Sequence, residues 1–180
     1  MSRIMIVDDE SGVLNALRRL LLSVPCSYGR LTYKLEVETF DTPVAALERA
    51  RQESFDLFLA DYRMPGMNGV EFLAQVREIQ PDAARLIISG YADLNAFADA
   101  VNGADIFRFL SKPWNDYVLV SAIAQALNYR ELMLENHQLA AQACVQRATA
   151  AGGDTSPAAA TKVRWGADGS AIIEDAAVKD

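Results

Sequence analysis

The stretch "FDLFLADYRMPGMNG", residues 55–69, begins as an apolar run and then breaks. The run ends on an acid, Asp61, and Pro65, Gly66 and Gly69 follow directly. Proline removes a backbone donor and glycine frees the backbone, so the strand stops there and the chain turns out to water. The reading predicts a buried strand that delivers a carboxylate to its own mouth.

Working outward, the same grammar recurs. "RIMIVDD" (3–9), "YKLEVETF" (33–40), "ARLIISG" (84–90) and "IFRFLS" (106–111) read as further strands. Helical spacing of apolar residues fills the gaps: Val13, Leu14, Leu17, Leu20 and Leu21 within 11–24, a segment 42–53 with Thr42 as cap and Pro43 at its first position, 68–80 stopped by Pro81, 92–103 ending at Gly103, and a long helix over 115–134. Strands alternating with helices imply crossover connections and a parallel sheet, an α/β fold. Such sheets bind ligands beyond the C-terminal ends of their strands.

Composition narrows the function. The chain has 180 residues, a formal charge of −7 and 51% hydrophobic residues. That acidic balance argues against nucleic acid as the main ligand, because phosphate contacts need clustered Lys and Arg. No apolar run is long enough to span a membrane, and "MSRIMIVDDE" does not read as a signal peptide. Cys26 and Cys144 lack metal-type spacing and read as free thiols in a reducing cytoplasm. The single histidine, His137, rules out a His-based relay and reads as a surface residue.

The polar residues at the strand ends form the constellation of interest. Asp8 and Asp9 end the first run, Asp61 the third and Ser89 the fourth, and Lys112 follows the fifth. Each taken alone is readily a turn residue, a helix cap or a surface charge. Together, three carboxylates on one rim repel one another unless a hard divalent cation joins them, and Mg²⁺ with a phosphate partner is the usual answer. A lysine and a hydroxyl complete a set suited to phosphoryl transfer.

The order of these motifs makes the chain resemble the receiver domain of bacterial two-component response regulators. The matching pieces are "DD" at 8–9 after "IMIV", Asp61 in "LADYRMPGMNG", "SG" at 89–90 and "KPW" at 112–114. The resemblance covers roughly residues 3–126 and implies a flavodoxin-like (βα)5 doubly wound fold with a five-stranded parallel sheet. It also implies that Asp61 accepts a phosphoryl group from a sensor histidine kinase or phosphotransfer protein. Asp9 and Asp61 would ligate Mg²⁺, Asp8 would act through water, and the backbone carbonyl of Arg63 would complete the protein ligands. Lys112 would pair with Asp61 and then with the phosphoryl group. Ser89 and Phe109 would move together as a switch, and Pro113 matches the family's cis-proline position.

The chain also departs from the pattern. "PCSYGRLTYK" (25–34) lengthens the link before the second strand. Arg63 and Tyr91, two residues beyond Asp61 and Ser89, are large and would shield an aspartyl phosphate from water, which implies slow self-hydrolysis. Past residue 126, the positions Tyr129, Leu132, Asn136, Leu139, Ala143 and Gln146 fit two heptads. They leave open a homodimeric coiled coil and a solvated helical extension. The expected organisation is a receiver domain over 1–126, a helical extension over 127–147, a linker over 148–161 and an acidic tail over 162–180. In the tail, Asp168-Gly169 marks a hairpin turn. No DNA-binding output domain is legible. Two other functions compete: a Mg²⁺-dependent phosphatase of the haloacid-dehalogenase type, which would want its nucleophile in an Asp-x-Asp pair on the first strand, and a dimerisation scaffold, which would not need all five site residues.

Overall fold

A computed structural model describes residues 1–90, 104–150, 163–165 and 171–173. The helix expected over 92–103 therefore lies outside the described residues. The chain divides into two compact units, Met1–Gln138 and Leu139–Asp180.

In the first unit the elements run β1 (Ser2–Val7), α1 (Ser11–Ser23), β2 (Cys26–Tyr28), β3 (Leu31–Tyr33), β4 (Leu35–Phe40), α2 (Pro43–Gln52), β5 (Leu57–Asp61), α3 (Gly69–Ile79), β6 (Ala84–Gly90) and β7 (Arg108–Lys112). A long helix, α4 (Asp116–Ala150), starts in this unit. In the second unit β8 (Val163–Trp165) pairs antiparallel with β9 (Ala171–Ile173). The turn at Asp168-Gly169 lies outside the described residues.

Among the described residues, one five-stranded sheet has the order β4-β1-β5-β6-β7, with every pairing parallel. This is the flavodoxin-like winding, whose order reverses beside β1 and opens a crevice between β1 and β5. Side chains alternate across the sheet with a period of two, and the core divides accordingly. Ile4, Ile6, Leu57, Leu59, Leu86, Ile88 and Leu110 pack with α1 and α4. Met5, Val7, Phe58, Ala60 and Ile87 pack with α2 and α3. Burial on both faces explains why these strands read as unbroken apolar runs.

Local signals set the helix starts. Thr42 is the N-cap of α2 and Pro43 occupies its first position. Asn68 caps α3 in a reciprocal box with Glu71. That box contributes about 1 kcal/mol and fixes where the loop after β5 ends.

The structure differs from the sequence reading in two places. The segment 25–34 is not a bare link: β2 and β3 form an antiparallel hairpin. Gly29 supplies the positive φ of 59° that its turn requires. The long helix also runs beyond the expected extension over 127–147 to Ala150, three residues into the stretch 148–161 expected to be linker. Residues 129–131 of this helix are anchored at the foot of the sheet. Tyr129 stacks near Phe107 at 5.4 Å, Arg130 pairs with Asp56 at 2.9 Å, and Glu131 accepts from Tyr33 Oη at 3.2 Å.

Candidate functional site at the C-terminal rim of the sheet

Alternation and register together build the site. Ile6 pairs with Leu59 and Val7 with Ala60, so Asp8 follows in the ladder beside Asp61. Asp8 continues the parity of Ile4 and Ile6, Asp61 that of Leu57 and Leu59, and Lys112 that of Leu110. All three belong to the α1/α4 side of the sheet. There, Lys112 Nζ lies 2.7 Å from Asp8 Oδ2 and 2.5 Å from Asp61 Oδ1. Asp8 is fully buried and Asp61 is 5% exposed. The other oxygens are held by backbone donors. Glu10 N–H donates to Asp8 Oδ1 at 2.9 Å and Arg63 N–H donates to Asp61 Oδ2 at 2.7 Å.

Burial is the largest influence on Asp61 and raises its pKa. The Lys112 ammonium and the Arg63 N–H offset this only in part, and the Asp8 charge adds to the rise. For Lys112, burial works against the charged form, but bonds to Asp61 and Asp8 outweigh it and leave the ammonium raised. The pocket thus holds more negative charge than one lysine neutralises comfortably.

Ser89 and Phe109 have the opposite parity. Ser89 is buried on β6, two residues beyond Ile87, and Ile87 pairs with Phe109. Phe109 is partly buried against the α2/α3 core. The two residues therefore share the face of the sheet away from Asp8 and Lys112. Asp9, one residue past Asp8, is exposed. Among the described residues no three acidic, His or Cys side chains are gathered as a ready metal cluster. The structure thus brings Asp8, Asp61 and Lys112 together and leaves Asp9 at the rim.

The chemistry of the donor set nonetheless fits Mg²⁺. Every candidate side-chain ligand is a carboxylate oxygen, and each oxygen accepting one hydrogen bond keeps a further acceptor site. Mg²⁺ commonly binds through one or two carboxylates and retains several waters. Asp61 and Asp9, with Asp8 behind them and the Arg63 carbonyl in the adjacent turn, are the groups that could hold it.

Three further features were not singled out as site elements by sequence. Glu10 Oε1 lies 3.9 Å from Lys112 Nζ while remaining exposed. Tyr62 N–H donates to Ile88 O at 2.9 Å, tying Asp61's neighbour to β6. Gly69 N–H donates to Tyr62 O at 3.0 Å, and a Cβ at Gly69 would overlap the Asp61 carbonyl oxygen and stand 3.2 Å from Tyr62 Cα. The glycine in "MNG" signalled a turn, but not this close approach of two backbones. The Lys112–Pro113 peptide bond is cis. His137 is exposed, and Tyr91 lies outside the described residues.

Comparison with known proteins agrees with this geometry. The family model described as the response regulator receiver domain matches residues 4–124. The receiver protein CpdR of Brucella abortus is 35% identical over 129 residues, covering 71% of this chain and 98% of that protein. The hydrogenase transcriptional regulatory protein HoxA of Cupriavidus necator is 34% identical over 136 residues, which is 76% of this chain and 26% of HoxA. The chain therefore spans about a quarter of the length of such regulators. Among solved structures, an uncharacterized protein from Neptuniibacter caesariensis is 40% identical with a TM-score of 0.66, over 75% of this chain and 93% of that one. A CheY-like receiver domain protein from Methanospirillum hungatei is 27% identical with a TM-score of 0.65, over 74% and 98%.

Proposed function

Because the chain belongs to the response regulator receiver domain family, we propose that it is a phosphorelay receiver in which Asp61 accepts a phosphoryl group from a histidine kinase or phosphotransfer protein. One observation carries this reading. A single lysine bridges two buried carboxylates at the mouth of the sheet, and one of these, Asp61, is the last residue of β5. An Asp61 carboxylate oxygen forms the new O–P bond as the donor's N–P bond breaks, and the imidazole leaves. Lys112 then exchanges part of its contact with Asp61 for the phosphoryl oxygens. Mg²⁺, when bound, supplies charge neutralisation to the transferring group.

Ser89 and Phe109 are the proposed switch. Their shared parity on adjacent strands supports coupled movement when Ser89 donates to a phosphoryl oxygen. Residues 1–126 act as the receiver, the rest of α4 to Ala150 as a helical extension, the stretch from there to 161 as a linker and 162–180 as a tail. Signalling proceeds through protein contacts in the cytoplasm, with a homodimer among the assemblies the extension would allow. Among the described residues no helix is long and apolar enough to cross a membrane.

Incubation with Mg²⁺ and acetyl phosphate tests the proposal. The expected result is a stoichiometric label, stable in acid and labile in base, that Asp61→Asn removes. Sustained turnover of phosphate esters would favour the phosphatase reading instead, and absence of both would leave only a scaffold.

A further inference from the structure

From Ser11 to Leu35 the chain has no Asp or Glu, although it holds 24 acids in all, and the stretch carries Arg18, Arg19, Arg30 and Lys34. Several other cations in the body of the protein are held in ion pairs. Arg3 and Arg49 pair with Glu38, Arg85 with Asp105, Lys112 with Asp8 and Asp61, and Arg130 with Asp56. Among the described residues, none of the four cations of this stretch is in an ion pair, and all four are exposed.

Apolar side chains are exposed alongside them: Leu22 at 60%, Val24 at 37%, Tyr28 at 44% and Leu31 at 47%. Arg18, Arg19 and Leu22 line one open concavity together with Asn15. The hairpin that follows is held rigidly. Cys26 and Tyr33 pair across its base and pack into the core, Cys26 beside Val120 and Tyr33 on Glu131, while Tyr28 and Leu31 pair at its tip. Alternation puts these two pairs on one face, so the tip presents its apolar pair beyond the core that covers the base. Exposed Tyr and Arg are enriched at interface centres, and here they stand beside exposed Leu22 and Leu31.

The patch is remote from the phosphoacceptor. Helix α1 has 13 residues and spans about 20 Å from the carboxylate rim to the hairpin. Ser2 N–H donates to Lys34 O, which fixes the hairpin's base at the opposite end of the sheet.

We infer that the outer face of α1 and the β2–β3 hairpin form a docking surface for an acidic, amphipathic segment of a partner protein, independent of phosphorylation at Asp61. Charge complementarity selects the occupant, because four unpaired cations on a protein of net charge −7 favour an anionic partner locally. The concavity beside Leu22 suits a protruding side chain, which a bilayer surface does not offer, and the overall negative charge opposes approach to anionic lipid.

The test uses the full chain and fluorescence anisotropy. The probe is a labelled helical peptide with Leu and Glu at i, i+4 spacing; a Leu/Lys peptide of the same pattern and vesicles of phosphatidylserine and phosphatidylcholine are the comparisons. The expected result is saturable, salt-sensitive binding of the acidic peptide, weakened tenfold or more by Arg18→Glu with Arg19→Glu and retained in Asp61→Asn. Tyr28→Ser with Leu31→Ser, at exposed positions, should weaken it comparably with an unchanged circular dichroism spectrum. No saturable binding, equal binding of the basic peptide, insensitivity to both double variants, or preferential capture by the vesicles would overturn the inference. Loss of acetyl phosphate labelling with docking intact would count against the receiver reading alone.

Discussion

Lys112 Nζ stands 2.7 Å from Asp8 Oδ2 and 2.5 Å from Asp61 Oδ1, so one ammonium closes two carboxylates buried beneath it. Two anions and one cation leave a net negative pocket. Burial raises Asp61 despite the lysine, the Asp8 charge adds to the rise, and a second cation has a place there.

Removing the lysine exposes the deficit. Lys112→Met should lower stability at pH 7 by about 3 kcal/mol, the scale for leaving a buried charge unpaired. Asp61→Asn acts in the opposite direction. An acid whose folded-state pKa is raised costs stability once both states are ionised, and the cost disappears as pH falls through the folded-state value. The Asn variant should therefore melt higher than the wild type at pH 7, and the gain should shrink on acidification. Urea and thermal unfolding at several pH values check both outcomes; a stabilised Lys112→Met would contradict the charge argument.

Mg²⁺ should raise the melting temperature by ordinary linkage, through RT ln(1 + [Mg²⁺]/Kd), and chelation should reverse it. Asp9→Asn is the informative variant, because Asp9 is exposed. It should leave the unfolding free energy without metal within about 0.5 kcal/mol of the wild type, as surface changes do, while reducing the Mg²⁺-induced shift in melting temperature. An undiminished shift would remove Asp9 from the proposed ligand set.

Gly69 and Gly12 make a matched pair. A Cβ at Gly69 would overlap the Asp61 carbonyl, whereas a Cβ at Gly12 meets nothing within 4 Å. Gly69→Ala should cost about 2 kcal/mol or more and slow labelling of Asp61, since the strand end must shift. Gly12→Ala, in the first turn of α1, should stabilise by about 0.5–1 kcal/mol through helix propensity. Denaturation midpoints together with acetyl phosphate labelling rates separate the two.

These contrasts also show how much the sequence made legible. The parallel sheet was readable because strands covered on both faces are apolar at every position, as in Leu57 to Ala60. The meeting of Asp8, Asp61 and Lys112 was readable from their places at strand ends. Asp9 was grouped with Asp8 although a period of two sends neighbouring residues to opposite sides, and motif spacing does not carry that parity. The β2–β3 hairpin was missed because its turn, Gly29-Arg30, is not a strong turn pair, and because Tyr33, Lys34 and Leu35 show no break between β3 and β4. The pairing of Arg3 with Glu38 could not be read at all, since it depends on the lateral packing of β1 against β4.

The hairpin's base gives a last prediction, through its cysteine. Cys26 is 2% exposed, and burial pushes its thiol up to about 11. Cys144 on α4 is exposed. Since the thiolate is the reactive species, a thiol-specific chromogenic reagent at pH 8 should titrate one cysteine in the native protein and two in denaturant. Cys144→Ser should leave none that reacts promptly. Tyr33 pairs across the hairpin from Cys26 and donates to Glu131, so Tyr33→Phe, which removes that bond, should speed the slow reaction of Cys26 by easing local opening. Rapid reaction of both thiols in the folded wild type would show that the hairpin does not seal this edge of the core.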